Sequence, residues 1–438
     1  MLGQRGCGLD VSRPQRIIDK PETKQSLFVR TYREDGKLRP GDALELFAHV
    51  KLAETFFAPF VFPNPRRDDG KELIDSVVYF SDCLLLVETK AKEKQPFYES
   101  QDRELRWARK KVDKAWRQLK GAHRCLRDRR VSSLTSRLRG IVKLPPVSEL
   151  CCYGLIVLGH HALPYEAHGL VPELAGAGFP VHVFSARDFA QLLRVFTTPM
   201  DFVVYLDARA DVEGGLNTPV HGERDFFDFY RDNFEDLIFQ GSSRRIYVPK
   251  FIEPQAALLR QGPGVDWKYG LLIDDILDRC CATLRSPDSV AAELGRPADR
   301  EAIAAAMEQL GLYTRLHRMN LGKKLHLLVL DVTKAGMQGQ FSTYSRSAKR
   351  VTVFVVSPEA RPERGRNLVT CTDIALAYWQ PRGAQIGLGI ATEPLQGVGR
   401  SYDFTLRRPC WSENQRQEVA EHYPELFAGD HVYLVDTP

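Results

Sequence analysis

From Glu72 to Lys92 the chain reads ELIDSVVYFSDCLLLVETKAK, and this stretch constrains the fold more than any other. Two β-rich apolar runs, Leu73–Phe80 and Cys83–Thr89, flank a short Ser81-Asp82 turn, the pattern of a tight hairpin. Such a turn puts Phe80 opposite Cys83 and, counting outward, Asp75 opposite Glu88, so the two acids are cross-strand neighbours. Side chains alternate along a strand, so Glu88 and Lys90 share one face. Residues 83–87 are apolar, so Glu88 and Lys90 are expected where a buried strand leaves the core. A carboxylate and an ammonium at such an edge are costly unless they pair or meet a cation.

Two adjacent acids beside a lysine are the inner shell of a hard divalent-cation site. Mg²⁺ takes oxygen ligands and keeps several waters, so two carboxylates and a backbone carbonyl suffice, a scissile phosphate completing the sphere. No His or Cys joins the cluster, which favours Mg²⁺ or Mn²⁺ over softer metals. The Lys90 ammonium suits the orientation of an attacking water, or the neutralising of charge developing on phosphate. The same residues also fit a surface hairpin with one exposed Asp and an ordinary Glu–Lys pair.

Around the hairpin the pattern is α/β. Residues 41–57 show helical recurrence at Leu44, Phe47/Ala48, Val50 and Leu52, ended by Pro59. A short strand at Phe60–Phe62 and a turn-rich loop at Asn64–Lys71 precede the hairpin. Residues 101–127 predict a long helix with an inner stripe of Leu105, Ala108, Val112, Ala115/Trp116, Leu119 and Ala122. Strands at Cys151–Leu158 and Val181–Phe184 follow, then a helix over Ala186–Val195 capped by Ser185.

A chain of 438 residues exceeds what one core usually holds, so more than one domain is expected. The reading is an arm over 1–40 with a short strand at Ser26–Tyr32, a first domain over 41–210, and a C-terminal α+β domain over 211–438. Gly214, Gly215 and Pro219 mark the division. In the last part Trp267–Leu284 and Arg300–Leu310 read as helices, Leu325–Val332 and Arg350–Val356 as strands, and Glu413–His422 as a terminal helix. Phe226, Phe227, Phe229 and Tyr230 read as a core stripe in preference to a partner-facing one.

Charge is unevenly spread. Residues 101–140 hold fourteen Lys/Arg against four Asp/Glu, whereas the whole chain carries only +5. One basic segment on an otherwise slightly acidic chain suggests a directed polyanion contact, with a solvated helix face as the alternative. Ser243-Arg244-Arg245, Arg346–Arg350 and Arg361–Arg366 read as basic loops, either solvated or extending a nucleic-acid track. His160, His161, His168 and His182 lack ligand spacing and read as loop histidines. No phosphate-binding Walker loop and no G-x-S-x-G elbow occurs, so NTP hydrolysis and α/β-hydrolase chemistry have no support. The nine cysteines show no C-x-x-C spacing, so reduced thiols are expected. Without an apolar run long enough to span a bilayer or an apolar leader, the expectation is an intracellular, cytoplasmic protein with no membrane partner.

Asp75, followed by Glu88-Thr89-Lys90 on the next strand, resembles the core of the PD-(D/E)xK nuclease superfamily, whose fold is restriction-endonuclease-like. Leu73-Ile74-Asp75-Ser76-Val77-Val78 with Val87-Glu88-Thr89-Lys90 looks most like its nuclease-related (NERD-type) branch. The family often has Pro just before the first acid, where this chain has Ile74. The resemblance covers about residues 41–200 and implies a mixed sheet flanked by helices. It implies Asp75, Glu88 and the Thr89 carbonyl as ligands of Mg²⁺ or Mn²⁺, with Lys90 aiding the attacking water. It further implies an acid from the preceding helix, for which Glu45 is preferred over Glu54. Arg103, Arg106, Arg109, Lys110 and Lys114 would hold the phosphate backbone of DNA more readily than RNA, and Gln118 would reach the site or that backbone. The activity implied is metal-dependent phosphodiester hydrolysis, by analogy a prokaryotic defence effector. The C-terminal region would then regulate, bind the target, or join a protein partner or a second copy. The alternative is a non-catalytic nucleic-acid-binding or assembly subunit on the same scaffold.

Overall fold

The computed structural model describes residues 39–92, 101–159, 178–215, 222–240, 256–260, 267–286, 300–345, 349–394, 401–408, 411–422 and 432–434. The strand expected at Ser26–Tyr32, the histidines His160, His161 and His168, and Ser243-Arg244-Arg245 lie outside them.

Helix α1 (Pro40–Phe56) starts at a proline, whose fixed φ suits a first turn. Leu44, Ala48, Leu52 and Phe56 recur every four residues and are buried. The helix stops at Phe57, whose φ of 64° no helix can continue. Three antiparallel strands follow: β1 (Val61–Pro63), β2 (Ser76–Phe80) and β3 (Cys83–Ala91). The β2–β3 turn is the expected one, with Ser81 at φ 55° and Phe80 opposite Cys83. Helix α2 (Gln101–Arg127) then crosses to β6 (Cys151–Gly159), which lies parallel to β3. A separate hairpin, β4 (Ser133–Ser136) and β5 (Gly140–Lys143), interrupts that crossover. Strand β7 (Val181–Ser185) adds parallel to β6, giving a mixed sheet ordered β1-β2-β3-β6-β7. Helix α3 (Ala186–Val195) leaves β7 through Ser185, whose side chain accepts from Asp188 N as an N-cap.

Strand alternation sorts the core into two faces. Val78, Leu85, Val87, Leu155 and Val157 pack with α1's Leu44, Ala48 and Leu52. Val77, Leu84, Leu86, Ile156 and Leu158 pack with α2's Ala108, Val112, Ala115, Leu119 and Ala122. Burying Val112 and Leu119 contributes about 1.5–3 kcal/mol each, against about 0.2–0.5 kcal/mol for a like-charge pair on the outer face, so α2 tolerates its cations.

The rest of the described chain is helical and then mixed. It comprises α4 (Pro199–Gly215), α5 (Glu223–Asp232), α6 (Phe234–Gln240), α7 (Trp267–Arg285), α8 (Arg300–Gly311) and α9 (Arg315–Ala335). Next come β8 (Gly339–Ser345), β9 (Arg350–Val356), α10 (Arg361–Trp379), β10 (Ile386–Thr392), β11 (Tyr402–Arg407), α11 (Glu413–His422) and β12 (Val432–Leu434). The second sheet runs β11-β10-β9-β8-β12; β9 and β10 are parallel, as are β8 and β12. The architecture is therefore mixed α/β, with two mixed sheets flanked by helices. Phe226 and Tyr230 are buried, with Phe227 and Phe229 packed beside them, a core stripe on α5. Helices α7 and α9 cross at Gly322, where a Cβ would stand 1.9 Å from the Tyr269 carbonyl oxygen. A buried hub joins α10 to the far end of the sheet: Arg364 donates to Asp403 Oδ2 and Glu393 Oε2 at 2.8 Å each, and to Ser401 Oγ at 2.7 Å.

The division near residue 210 falls within α4, and one buried cluster continues across it, from Leu44 and Leu85 through Phe202, Phe226 and Ile273 to Phe341 and Leu388. Gly311 of α8 sits directly against Phe80 of the first sheet and Phe57 at the end of α1.

Some sequence expectations fail locally. Leu325–Val332 is helix, not strand. Short apolar runs do not reveal their period, but Leu321, Leu325, Val329 and Val332 are buried at helical spacing within α9, which Thr314 caps at one end and Gly336 closes at φ 66°. Arg361–Arg366 is the start of α10, with Pro362 tolerated in its first turn, and Arg364 is buried. Arg350, expected both to close a basic loop and to open a strand, does open β9 and is buried there. His182, grouped with loop histidines, is a fully buried strand residue whose Nδ1 lies 3.0 Å from Arg209 Nη1.

Candidate functional site

The β2–β3 ladder ends with Ser76 opposite Val87, so Asp75 and Glu88 are the first residues beyond it, where β2 ends and β3 runs on. Pro63 pairs with Ser76, and the Asn64 N–H donates to the Asp75 carbonyl at 2.8 Å, pinning the backbone at that fork. The Asp75 carboxylate turns toward β3. Its Oδ2 accepts from Thr89 N at 2.7 Å and from Thr89 Oγ1 at 2.8 Å.

Glu88 follows Leu84 and Leu86 on the α2 side of the sheet. Its burial is complete rather than marginal, because β3 leaves the core at Lys90, two residues later than the sequence suggested. Lys92, the next residue on that side, pairs with the buried Glu104 of α2, so the start of the helix covers this end of the strand. Lys90 Nζ donates to Glu88 Oε1, and to the Thr89 carbonyl at 2.9 Å. The second Glu88 oxygen, Oε2, is buried and accepts no hydrogen bond from the described residues.

Glu45 approaches from the opposite side. Helix α1 lays its first turns over the carboxyl ends of β3 and β6, where a Cβ on Gly159 would stand 3.0 Å from Leu44 Cδ2 and 3.2 Å from Ala91 Cα. Burial, then the charges of Asp75, Glu72 and Asp42, push the Glu45 carboxyl up to about 7. Burial and Asp75 likewise push Glu88 up to about 7; desolvation outweighs the Lys90 ion pair. Asp75 acts on both, which puts it at the junction of the two faces. Glu54 lies elsewhere: it is largely exposed and pairs with Lys51 at 2.6 Å.

Two neighbours escape a reading of the sequence. Glu72 stands three residues before Asp75 in a loop with no periodicity to expose it. Its carboxyl is raised by burial and by Asp75, against the pull of Arg66 and Lys90. His49, one turn after Glu45, is buried on the inner face of α1, and burial lowers its imidazole to about 4, so it is neutral at physiological pH. Its one sequence signal is the i+4 spacing from Glu45.

The cations of α2 fall into a different place. Arg103, Arg106, Arg109, Lys110 and Lys114 all sit on the exposed face. The structure does not bring Gln118 to the acids: it lies fourteen residues beyond Glu104, about 21 Å along the helix. Its neighbour Leu119 packs against Gly154, which pairs with Leu86 rather than with the end of β3. Gln118 is exposed there, so a contact with a long polyanion is open to it and one with the carboxylates is not.

Among the described residues no three His, Cys, Asp or Glu side chains form a ready-made metal cage, and no helix is long and apolar enough to cross a membrane. Compared with protein-family models, curated proteins and solved structures, the chain matches none.

Proposed function

We propose that the chain is a metal-dependent nuclease of the PD-(D/E)xK type, restriction-endonuclease-like in its first sheet and acting on DNA in preference to RNA. The observation that carries the reading is Glu88: a fully buried carboxylate with one oxygen paired to Lys90 and the other without a partner among the described residues, next to Asp75. An unsatisfied buried carboxylate oxygen is expensive, and a divalent cation satisfies it. An acidic helix, a hairpin with acids at its open end and a basic helix follow one another here in the order that supports the resemblance.

The donor set is all oxygen, which fits Mg²⁺ or Mn²⁺. Asp75 and Glu88 would hold the ion, with the Thr89 carbonyl beside them and Glu45 as an outer acid. When bound, such an ion supplies Lewis acidity toward a phosphate oxygen. The chain's own groups do the rest. Lys90, anchored to Glu88 and Thr89, would neutralise negative charge developing on a phosphate oxygen. Glu45, held near pH 7, is poised to accept or return a proton of the attacking water. The exposed α2 cations hold phosphates without reading bases.

A second reading, a binding subunit without catalysis, draws on the Lys90–Glu88 pair, which leaves the lysine already engaged. Cleavage assays on DNA and RNA, with and without Mg²⁺ and Mn²⁺, separate the two. Metal-dependent cleavage lost in both Asp75→Ala and Lys90→Ala is expected; wild type that leaves every substrate intact, with or without co-purified partners, favours the binding subunit.

A further inference from the structure

Thr89 occupies the variable place between the acid and the lysine, where the motif asks nothing of the side chain. The structure gives it a task. Its amide and its hydroxyl converge on a single oxygen of Asp75, Oδ2, at 2.7 and 2.8 Å, while among the described residues Oδ1 receives no hydrogen bond. Glu88 shows the same division: Oε1 is engaged by Lys90, and the buried Oε2 has no partner among the described residues. Each acid thus has one oxygen tied down and one left over.

We propose that Thr89 is a positioning residue that ties down Asp75 Oδ2 so that Asp75 offers a cation only one oxygen, biasing the site toward small octahedral ions. This rests on the proposed metal site. The physical reason is coordination number: Ca²⁺ takes 6–8 oxygens and accepts both oxygens of a carboxylate, whereas Mg²⁺ and Mn²⁺ suit single-oxygen ligation within about six positions. A donor fixed outside the metal's own shell also orients a ligand that is otherwise free to rotate. The Thr89 hydroxyl is well placed for this because its residue is buried and held in β3 by pairing with Val157. Replacing it by the isosteric valine leaves the backbone N–H bond intact and removes the hydroxyl alone.

The test is metal binding to the full chain without nucleic acid, by calorimetry with Mn²⁺ and by Ca²⁺ competition. Thr89→Val is expected to weaken Mn²⁺ binding about tenfold and to raise the Ca²⁺-to-Mn²⁺ affinity ratio, with Thr89→Ser staying within about twofold of wild type. Thr89→Ala is read in the same way should the valine variant melt early. Equal Mn²⁺ affinity and an unchanged ratio in both hydroxyl-free variants overturn the role of Thr89 while leaving the metal site standing. Wild type that binds neither ion overturns the metal site itself and this inference with it.

Discussion

Replacing Glu88 by Gln tests the reading of the site without any substrate. Moving a carboxyl from 4.5 to about 7 corresponds to about 3 kcal/mol of differential interaction between its protonated and charged forms. The folded-state value is the higher one, so folding takes up a proton between the two. The contribution of Glu88 is therefore fully present below pH 4.5 and is lost as pH rises through 7. Glutamine keeps the shape and cannot ionise, so the variant escapes that loss. Urea denaturation in chelator from pH 5 to pH 8 should show the variant gaining on wild type by about 2–3 kcal/mol across the window. Any change in the Lys90 interaction enters as a constant offset, so the slope carries the test. Adding Mg²⁺ at the alkaline end should then stabilise wild type more than the variant. A stability difference that stays flat with pH would mean that Glu88 is solvated in the folded protein, and the case for a cation there would fall with it.

Two further outcomes follow from the geometry. Replacing Arg106, Arg109 and Lys110 together by Gln should lower the salt slope of nucleic-acid binding by up to about 3, at about 0.9 for each phosphate no longer neutralised, with Mn²⁺ affinity retained; an unchanged slope would put the polyanion on another surface. Gly311→Ala drives a Cβ to within 2.4 Å of Phe80 Cζ and 2.8 Å of Phe57 Cε2, and should cost about 1–3 kcal/mol in thermal unfolding. An alanine variant as stable as wild type would show that α8 moves freely against the first sheet.

Much of the first sheet was legible because its signals are local. The α2 limits, the Ser185 cap and the Phe80–Cys83 turn each depend on residues a few positions apart, and each is found where the pattern puts it. The failures arise where local signals run out. Leu325–Val332 is too short an apolar run to declare its period, and only the packing of α9 on α7 and the second sheet decides it. Arg364 reads as a surface charge until Glu393, Ser401 and Asp403, all brought from later in the chain, close around it. The turn placed Asp75 and Glu88 at the same end of the hairpin and the resemblance pointed to Glu45, but the depth of Glu88, the nearness of Glu72 and the distance of Gln118 were not legible.

Alternation and turn chemistry, carried by the sequence alone, determined that two acids meet at the open end of a hairpin with a lysine two residues on. Only the tertiary structure decided that α1 crosses one side of that end while α2 covers the other. Those two helices strip water from Glu88 and part of Glu45, and desolvation, more than any neighbouring charge, is what raises both carboxyls. Burial depends on segments far apart in the chain, so no spacing of residues along β3 could have disclosed it.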